Sequence, residues 1–186
     1  MSDSTMLKRI GRWAVLPIAI GMGLSLSAFS ASPAEAAAYY CNGYKATIVG
    51  TSGHDDIEGT SGRDVIVGLA GSDEIDGNGG NDIICAGSGN DEVDGGSGSD
   101  YIHGGSGHDS IEGGSGSDRI YGSSGNDHVE GESGNDKVYG NSGHDLVEGG
   151  PGSDKVSGGS GNDTVKQRYA SEREEDRWED RYGYDD

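Results

Sequence analysis

Residues 86–112 read AGSGNDEVD, GGSGSDYIH and GGSGHDSIE, three consecutive units of nine residues. The fourth residue of each unit is Gly, the sixth is Asp and the eighth is Ile or Val. The same three positions recur in thirteen units from residue 50 to residue 166, without an insertion. Position 1 is Gly in every unit except the one that begins at Ala86. This unbroken period decides the fold.

Each unit contains a turn followed by a short strand. Glycine at positions 1 and 4 permits backbone angles that other residues avoid, so positions 1 to 6 are expected to form a tight turn. Positions 7 to 9 then form a strand whose single β-branched side chain points inward. Such a strand is stable only when it stacks on others in register, about 4.8 Å apart. With turns alternating between two edges, two units complete one coil and unit n stacks on unit n+2. The sequence therefore predicts an all-β solenoid with two parallel sheets.

Position 6 places one carboxylate in every turn. Stacking aligns these carboxylates in two columns, one along each edge, and like charges at that spacing repel one another. A cation between successive turns is therefore expected, and carboxylate and carbonyl oxygens suit Ca²⁺ better than Mg²⁺ because Ca²⁺ accepts six to eight oxygens in flexible geometry. Since unit n stacks on unit n+2, thirteen units allow at most about eleven inter-turn sites. The candidate metal ligands are Asp55, Asp64, Asp73, Asp82, Asp91, Asp100, Asp109, Asp118, Asp127, Asp136, Asp145, Asp154 and Asp163.

One unit, GGSGSDYIH at residues 95–103, matches in full the pattern G-G-x-G-x-D-x-U-x. On that match and on thirteen contiguous units, the chain resembles the RTX, or hemolysin-type, family of calcium-binding nonapeptide repeats. The resemblance implies a parallel β-roll in which each Ca²⁺ is held by position-6 Asp side chains and turn carbonyls of units n and n+2. A low-complexity linker of Gly, Ser and Asp does not explain the apolar residue at every position 8.

Composition limits the functions that this chain can have. It has 186 residues, 37 of them Gly, and 33 Asp and Glu against 13 Lys and Arg give a net charge of −20. That balance excludes a nucleic-acid binder that relies on a basic surface. Without metal, charge repulsion and a thin core are expected to leave the repeats largely unfolded, so that calcium binding supplies the folding energy.

No catalytic signature is present. The sequence has no G-x-S-x-G, H-E-x-x-H or phosphate-loop motif, so we expect a non-enzymatic protein. No histidine pairs with a cysteine or an acid at a recognisable zinc spacing. His54, His108 and His144 lie at turn position 5 and are interpreted as solvated loop residues.

The first 36 residues have the features of a secretory signal peptide. Lys8, Arg9 and Arg12 precede an apolar run at residues 13–26, and Ala34-Glu35-Ala36 fits a signal-peptidase site. The apolar run is shorter than the roughly 20 residues of a membrane-spanning helix. We therefore expect cleavage, an extracellular location and no integral membrane segment in the mature chain. With this segment and the cap described next, the array resembles secreted bacterial members of the family.

Residues 37–49 are predicted to cap the N-terminal end of the roll. Residues 41–49 read as a degenerate repeat in which Ile48 occupies position 8 and Ala46 replaces the Asp. Cys41 begins this unit, and Cys85 faces outward from the sheet on which the unit would stack. In a secreted protein the pair suggests a disulfide that straps three tyrosines over the apolar start of that sheet, and two free thiols are the alternative. These tyrosines are Tyr39, Tyr40 and Tyr44.

The C-terminal tail, residues 167–186, departs from the period. Arg173, Arg177 and Arg181 recur every four residues, which is compatible with a short helix that caps the last coil. A disordered tail is the alternative.

The outward positions 7 and 9 differ between odd-numbered and even-numbered units. Odd units have acids: Asp56, Glu58, Glu74, Asp76, Glu92, Asp94, Glu112, Glu130 and Glu148. Even units have none, and include Val65, Val67, Ile83, Cys85, Tyr101, His103, Arg119, Tyr121, Lys137, Tyr139 and Lys155. One interpretation is a solvated acidic face and a covered even face. Another is that Tyr101, Tyr121 and Tyr139 with neighbouring cations bind a glycan, another polyanion or a cell-surface partner. Cation or mineral binding by the acids, and ice binding through position-3 serines, are weaker alternatives.

Overall fold

The structure, a computed structural model, describes residues 39–169, and within them it contains strands and no helix. No helix in this part of the chain is long and apolar enough to cross a membrane. The strands are β1 (Tyr40–Cys41), β2 (Tyr44–Lys45), β3 (Ile48–Val49), β4 (Asp56–Glu58), β5 (Val65–Ala70), β6 (Glu74–Asp76), β7 (Ile83–Ser88), β8 (Glu92–Asp94), β9 (Tyr101–Ser106), β10 (Ser110–Glu112), β11 (Ser115–Gly116), β12 (Arg119–Ser124), β13 (His128–Glu130), β14 (Ser133–Gly134), β15 (Lys137–Ser142), β16 (Leu146–Gly152), β17 (Lys155–Ser160) and β18 (Thr164–Tyr169).

Two parallel sheets form the roll. The even sheet, built from even-numbered units and the cap, has the order β3-β5-β7-β9-β12-β15-β17. The odd sheet contains β4, β6, β8, β10, β13, β16 and β18, with the short turn strands β11 and β14. Neighbouring strands pair at a constant offset of 18 residues, for example Ile84 with Ile102 and Ile111 with Val129. The predicted parallel β-roll is therefore confirmed, with two units in each coil.

The core between the two sheets receives one inward-pointing side chain from each strand. It consists of Ala86 and the position-8 residues from Ile48 to Val147, which are almost completely buried, whereas Val156 is only partly buried and Val165 is 46% exposed. Burying one Ile or Val contributes roughly 1.5–3 kcal/mol, and each nine-residue unit contributes only one. The core alone is therefore small for the length of chain that it must order.

The N-terminal cap covers the apolar start of the even sheet. β3 extends that sheet by pairing Ile48 with Ile66, and the predicted disulfide joins Cys41 to Cys85 with a Cα–Cα distance of 5.8 Å. Cys41 and Ala46 pack with the outward side chains of the first even strands in a second apolar cluster. The three cap tyrosines, in contrast, remain 42–61% exposed. The small side chains of the cap therefore form the cover, and the amphipathic phenol rings stay in contact with water.

Removal of the disulfide is expected to lower the stability of the folded chain. Replacing both cysteines, Cys41→Ser with Cys85→Ser, should lower the stability of the calcium-saturated chain by about 2–4 kcal/mol, because the bridge restricts the unfolded chain over a sequence separation of 44. Thermal unfolding at saturating Ca²⁺ measures this loss. Chemically reduced wild type serves as the control and should match the double variant. An unchanged melting temperature in both would contradict the structural role.

Beyond the last repeat, β18 continues to Tyr169 and still pairs with β16 across a register shift. The proposed signal segment (residues 1–36) and the arginine pattern of the tail lie outside the described residues, as does the predicted tail helix.

Candidate calcium sites

The position-6 aspartates are buried at the two edges of the roll. Eleven of them, from Asp55 to Asp145, are at most 8% exposed, and Asp154 and Asp163 near the end of the stack are half-buried. Burial of so many carboxylates costs free energy unless each finds hydrogen-bond donors or a cation. The hydrogen-bond partners of these carboxylates therefore indicate whether the aspartate columns bind a cation.

In the aspartates from Asp73 to Asp163, one carboxylate oxygen joins successive coils. The backbone N–H of Asp55 donates to Oδ1 of Asp73 at 2.9 Å, and the N–H of Asp91 donates to Oδ1 of Asp109 at 3.0 Å. This bond repeats in every stacked pair of units from Asp55–Asp73 to Asp145–Asp163. The aspartates thus hold the coils in register, a role that sequence reasoning did not foresee.

The second oxygen lacks a protein partner in most units. Ten Oδ2 atoms are buried without a hydrogen bond, those of Asp73, Asp82, Asp91, Asp100, Asp109, Asp118, Asp127, Asp136, Asp145 and Asp154. Unpartnered buried carboxylate oxygens are rare in folded proteins because each forfeits its hydration. A column of such atoms is what a hard, oxygen-preferring cation would satisfy, and Ca²⁺ fits this donor set.

Glycine at position 4 brings the carbonyls of successive turns together. At Gly107, φ is +132°, and an added Cβ would lie 1.7 Å from the carbonyl oxygen of Gly89. Only glycine allows the backbones of two coils to approach so closely. The turns therefore present carbonyl oxygens beside the aspartate columns, as an inter-turn calcium site requires.

Comparison with known protein families agrees with this geometry. The family model of the RTX calcium-binding nonapeptide repeat, built of four copies, matches residues 49–84, 77–111, 86–120, 103–138, 112–147 and 130–165. The chain belongs to the RTX calcium-binding repeat family. No curated protein matches it. The RTX repeats and the eleven buried aspartates together fit Ca²⁺ binding between turns.

The first two RTX units differ from the rest. In units 1 and 2, Oδ2 of Asp55 and Asp64 accepts hydrogen bonds from the N–H and hydroxyl of Thr51 and Thr60, at 2.6–2.9 Å. The ten orphaned oxygens begin only at Asp73. Thr occurs at position 2 in these two units alone, and that was the signal in the sequence that could have identified them. Asp55 and Asp64 remain candidate ligands, but both oxygens of each carboxylate already accept hydrogen bonds from neighbouring threonines.

A second ladder runs along the turns at position 5. Asn126 Oδ1 accepts from the N–H of His144 at 2.9 Å, and Nδ1 of His144 accepts from the N–H of Asn162 at 3.0 Å. The same arrangement links Asn90, His108 and Asn126. The turn histidines are exposed, as predicted, but His108 and His144 also hold the next coil through an unprotonated Nδ1.

Stacking also places a histidine beside two acids on the odd sheet. His128 Nε2 lies 2.8 Å from Glu130 Oε1, and ligand atoms of His128, Glu130 and Glu148 all lie within 4.8 Å of one another. The sequence shows no recognisable zinc spacing here, because Glu148 comes from the next coil and is 20 residues from His128. Lys166 already pairs with Glu148 there.

Burial raises the pKa of Asp100, Asp109 and Asp136 in the aspartate columns. Desolvation is the main cause, and the charges of neighbouring aspartates in the column add to it, while the N–H bond from the preceding coil acts in the opposite direction. The pKa of Asp100 and Asp109 rises from 3.8 to about 7, and that of Asp136 to about 6.

These pKa values predict opposite pH dependences with and without calcium. In chelator, protonation of Asp100, Asp109 and Asp136 stabilises the roll fully below about pH 4, and this stability disappears as pH rises through about 6 to 7. Circular dichroism of the stripped chain should therefore show more sheet at pH 5 than at pH 8. With Ca²⁺, which needs the carboxylates ionised, the sheet should weaken on acidification instead. Equal pH profiles in both conditions would contradict this assignment.

Proposed function

We propose that this RTX-family chain is a secreted, non-enzymatic protein that remains largely unfolded until it meets extracellular Ca²⁺, which then drives formation of the β-roll. The observation that carries the proposal is the set of ten buried Oδ2 atoms without a protein partner. Each of these oxygens is a hard carboxylate donor without a hydrogen bond from the protein, and calcium between the turns would satisfy it.

The energetics support calcium as the folding switch. The core offers one Ile or Val per unit, while the net charge of −20 opposes a compact state. Extracellular calcium modules typically bind in the range of about 10⁻⁴ to 10⁻³ M, far above cytosolic calcium. A chain with these properties would stay extended during export and fold after it.

Secretion itself is tested by the fate of the first 36 residues. Expressed in a secreting bacterium, the chain should appear in the medium with a new N-terminus at Ala37 or close to it, and deletion of residues 1–36 should retain it in the cytoplasm. Mass spectrometry of both fractions measures this. An intact N-terminus or retention of the full-length chain in the cell would refute the export step and leave the calcium sites untouched.

A second candidate function uses the roll as scaffold. The even sheet exposes a ladder of tyrosines beside basic side chains, and this ladder is not needed for calcium binding. A surface adhesion or structural protein would use such a face to hold a partner once calcium has folded the roll. Replacing Tyr101, Tyr121 and Tyr139 by Ser should leave calcium-driven folding intact and remove surface binding.

A further inference from the structure

The two edges of the roll form grooves of matching architecture and opposite chemistry. Each groove is lined by the position 5, 6 and 7 residues of successive units and has a volume of about 420 Å³ on the even edge and about 410 Å³ on the odd edge. The position-7 side chains of the odd groove are Glu74, Glu92, Ser110 and His128, and those of the even groove are Ile83, Tyr101, Arg119 and Lys137. Both grooves also contain position-6 aspartates, so the contrast between them lies in their position-7 side chains.

Beside the even groove, the tyrosines form a continuous aromatic ladder. The ring centroids of Tyr101 and Tyr121 are 5.6 Å apart, and those of Tyr121 and Tyr139 are 5.2 Å apart with the rings nearly parallel. The three side chains are half-buried on the outer face of the even sheet, so each ring keeps contact with water. The spacing follows the coil, because Tyr121 and Tyr139 pair directly in neighbouring strands.

A column of cations accompanies this ladder. Arg119 pairs with Lys137, and Lys137 with Lys155, at the same position of three successive even strands. All three side chains are exposed, and none has a salt-bridge partner among the described residues. Uncompensated cations one coil apart, about 4.8 Å, are unfavourable to each other in a sheet. In a chain of net charge −20 they mark the surface that an anion would approach.

We propose that the even face, from Tyr101 to Lys155, binds a linear acidic polysaccharide such as a uronic-acid polymer. The pyranose rings pack along the outer edges and hydroxyls of the tyrosine ladder, since the facing sides of Tyr121 and Tyr139 already stack on each other. The carboxylates pair with the cation column. This deepens the scaffold function and rests on calcium-driven folding, since only the folded roll aligns these side chains. Nucleic acid fits less well, because duplex DNA has one charge per about 1.7 Å and the acidic odd face and net charge repel it. A uronic-acid polymer has a lower charge density and apolar C–H faces that suit tyrosine.

The test measures glycan binding and folding separately on each variant. Isothermal titration of the calcium-saturated secreted chain uses a hyaluronate oligosaccharide, a neutral chitooligosaccharide of equal length and dextran sulfate. We expect hyaluronate to bind at least about ten-fold more tightly than the neutral glycan. Arg119→Gln with Lys137→Gln, and separately Tyr121→Ser with Tyr139→Ser, should each weaken hyaluronate binding by about ten-fold or more. Matched controls are Lys166→Gln on the odd sheet and Tyr40→Ser on the cap, which should leave binding unchanged.

Each outcome is decisive. A wild type that shows no calcium-induced sheet by circular dichroism refutes the folding proposal, whereas a folded wild type that binds no hyaluronate refutes the polysaccharide alone. Glycan binding is compared only among variants that show the calcium-induced sheet. If dextran sulfate binds as tightly as hyaluronate, and the tyrosine variants bind it as well as wild type does, the face acts only through its charge and the proposal is overturned. A change of mass in sedimentation caused by the even-face variants, without glycan binding, would identify a second copy as the occupant and also overturn it.

Discussion

Removal of calcium at neutral pH should abolish the two parallel sheets, and addition of Ca²⁺ should restore them in one cooperative transition. The physical reason is that ten buried Oδ2 atoms would otherwise be charged and unpartnered in columns. Burial raises the pKa of several of these groups, including Asp100 and Asp109, so their ionisation without metal is expected to oppose the fold. We expect a midpoint of about 10⁻⁴ to 10⁻³ M Ca²⁺ by far-UV circular dichroism, and no comparable transition with Mg²⁺.

A matched pair of substitutions assigns this transition to the orphaned oxygens. Asp109→Asn removes the charge from a carboxylate with an unpartnered Oδ2, and should raise the calcium midpoint by about ten-fold or more. Asp55→Asn changes the same repeat position in unit 1, where Thr51 already donates to Oδ2, and should have a much smaller effect. Equal effects at both positions would show that the columns act through total charge and not through individual sites. Sheet that persists in chelator at neutral pH would show that core and disulfide suffice.

The second large effect concerns the close approach of the coils. Gly107→Ala should strongly destabilise the middle of the calcium-saturated roll, because its Cβ would lie 1.7 Å from the Gly89 carbonyl oxygen and its φ of +132° is one that alanine rarely adopts. The backbones that carry these two atoms are held in place by stacking, so the clash is relieved only if the coils separate. We expect a loss of about 3 kcal/mol or more, seen as a lower melting temperature and a higher calcium midpoint.

Gly62→Ala is the control for this prediction. Gly62 occupies the same repeat position, but a Cβ there would meet only the Thr60 hydroxyl at 4.0 Å, and φ at Gly62 lies outside the left-handed region. We expect this variant to fold with nearly unchanged stability. If both alanine variants were equally damaging, the glycines would be required by the local turn and not by contact between coils.

The sequence was sufficient for the architecture because the period is exact. An apolar residue at every position 8 requires an inward column, and the constant spacing allows only one register, so Ile84 on Ile102 could be predicted. The phase of the period also placed Cys85 on the outer side of the even sheet, where Cys41 of the cap meets it. Both predictions use only how many residues separate two positions along the chain.

Properties that depend on the neighbouring coils could not be predicted from the repeat period. Gly62 and Gly107 are identical in the pattern, and Asp55 and Asp109 are too, yet their surroundings differ because the first units have no complete coil before them. The division of each carboxylate into a structural Oδ1 and an unpartnered Oδ2 appears only when the coils are stacked. By itself the sequence determined the repeat, the sheets and the kind of cation. Tertiary structure decided which copies of each residue are crowded, buried and unpartnered, because those properties belong to a position in the stack.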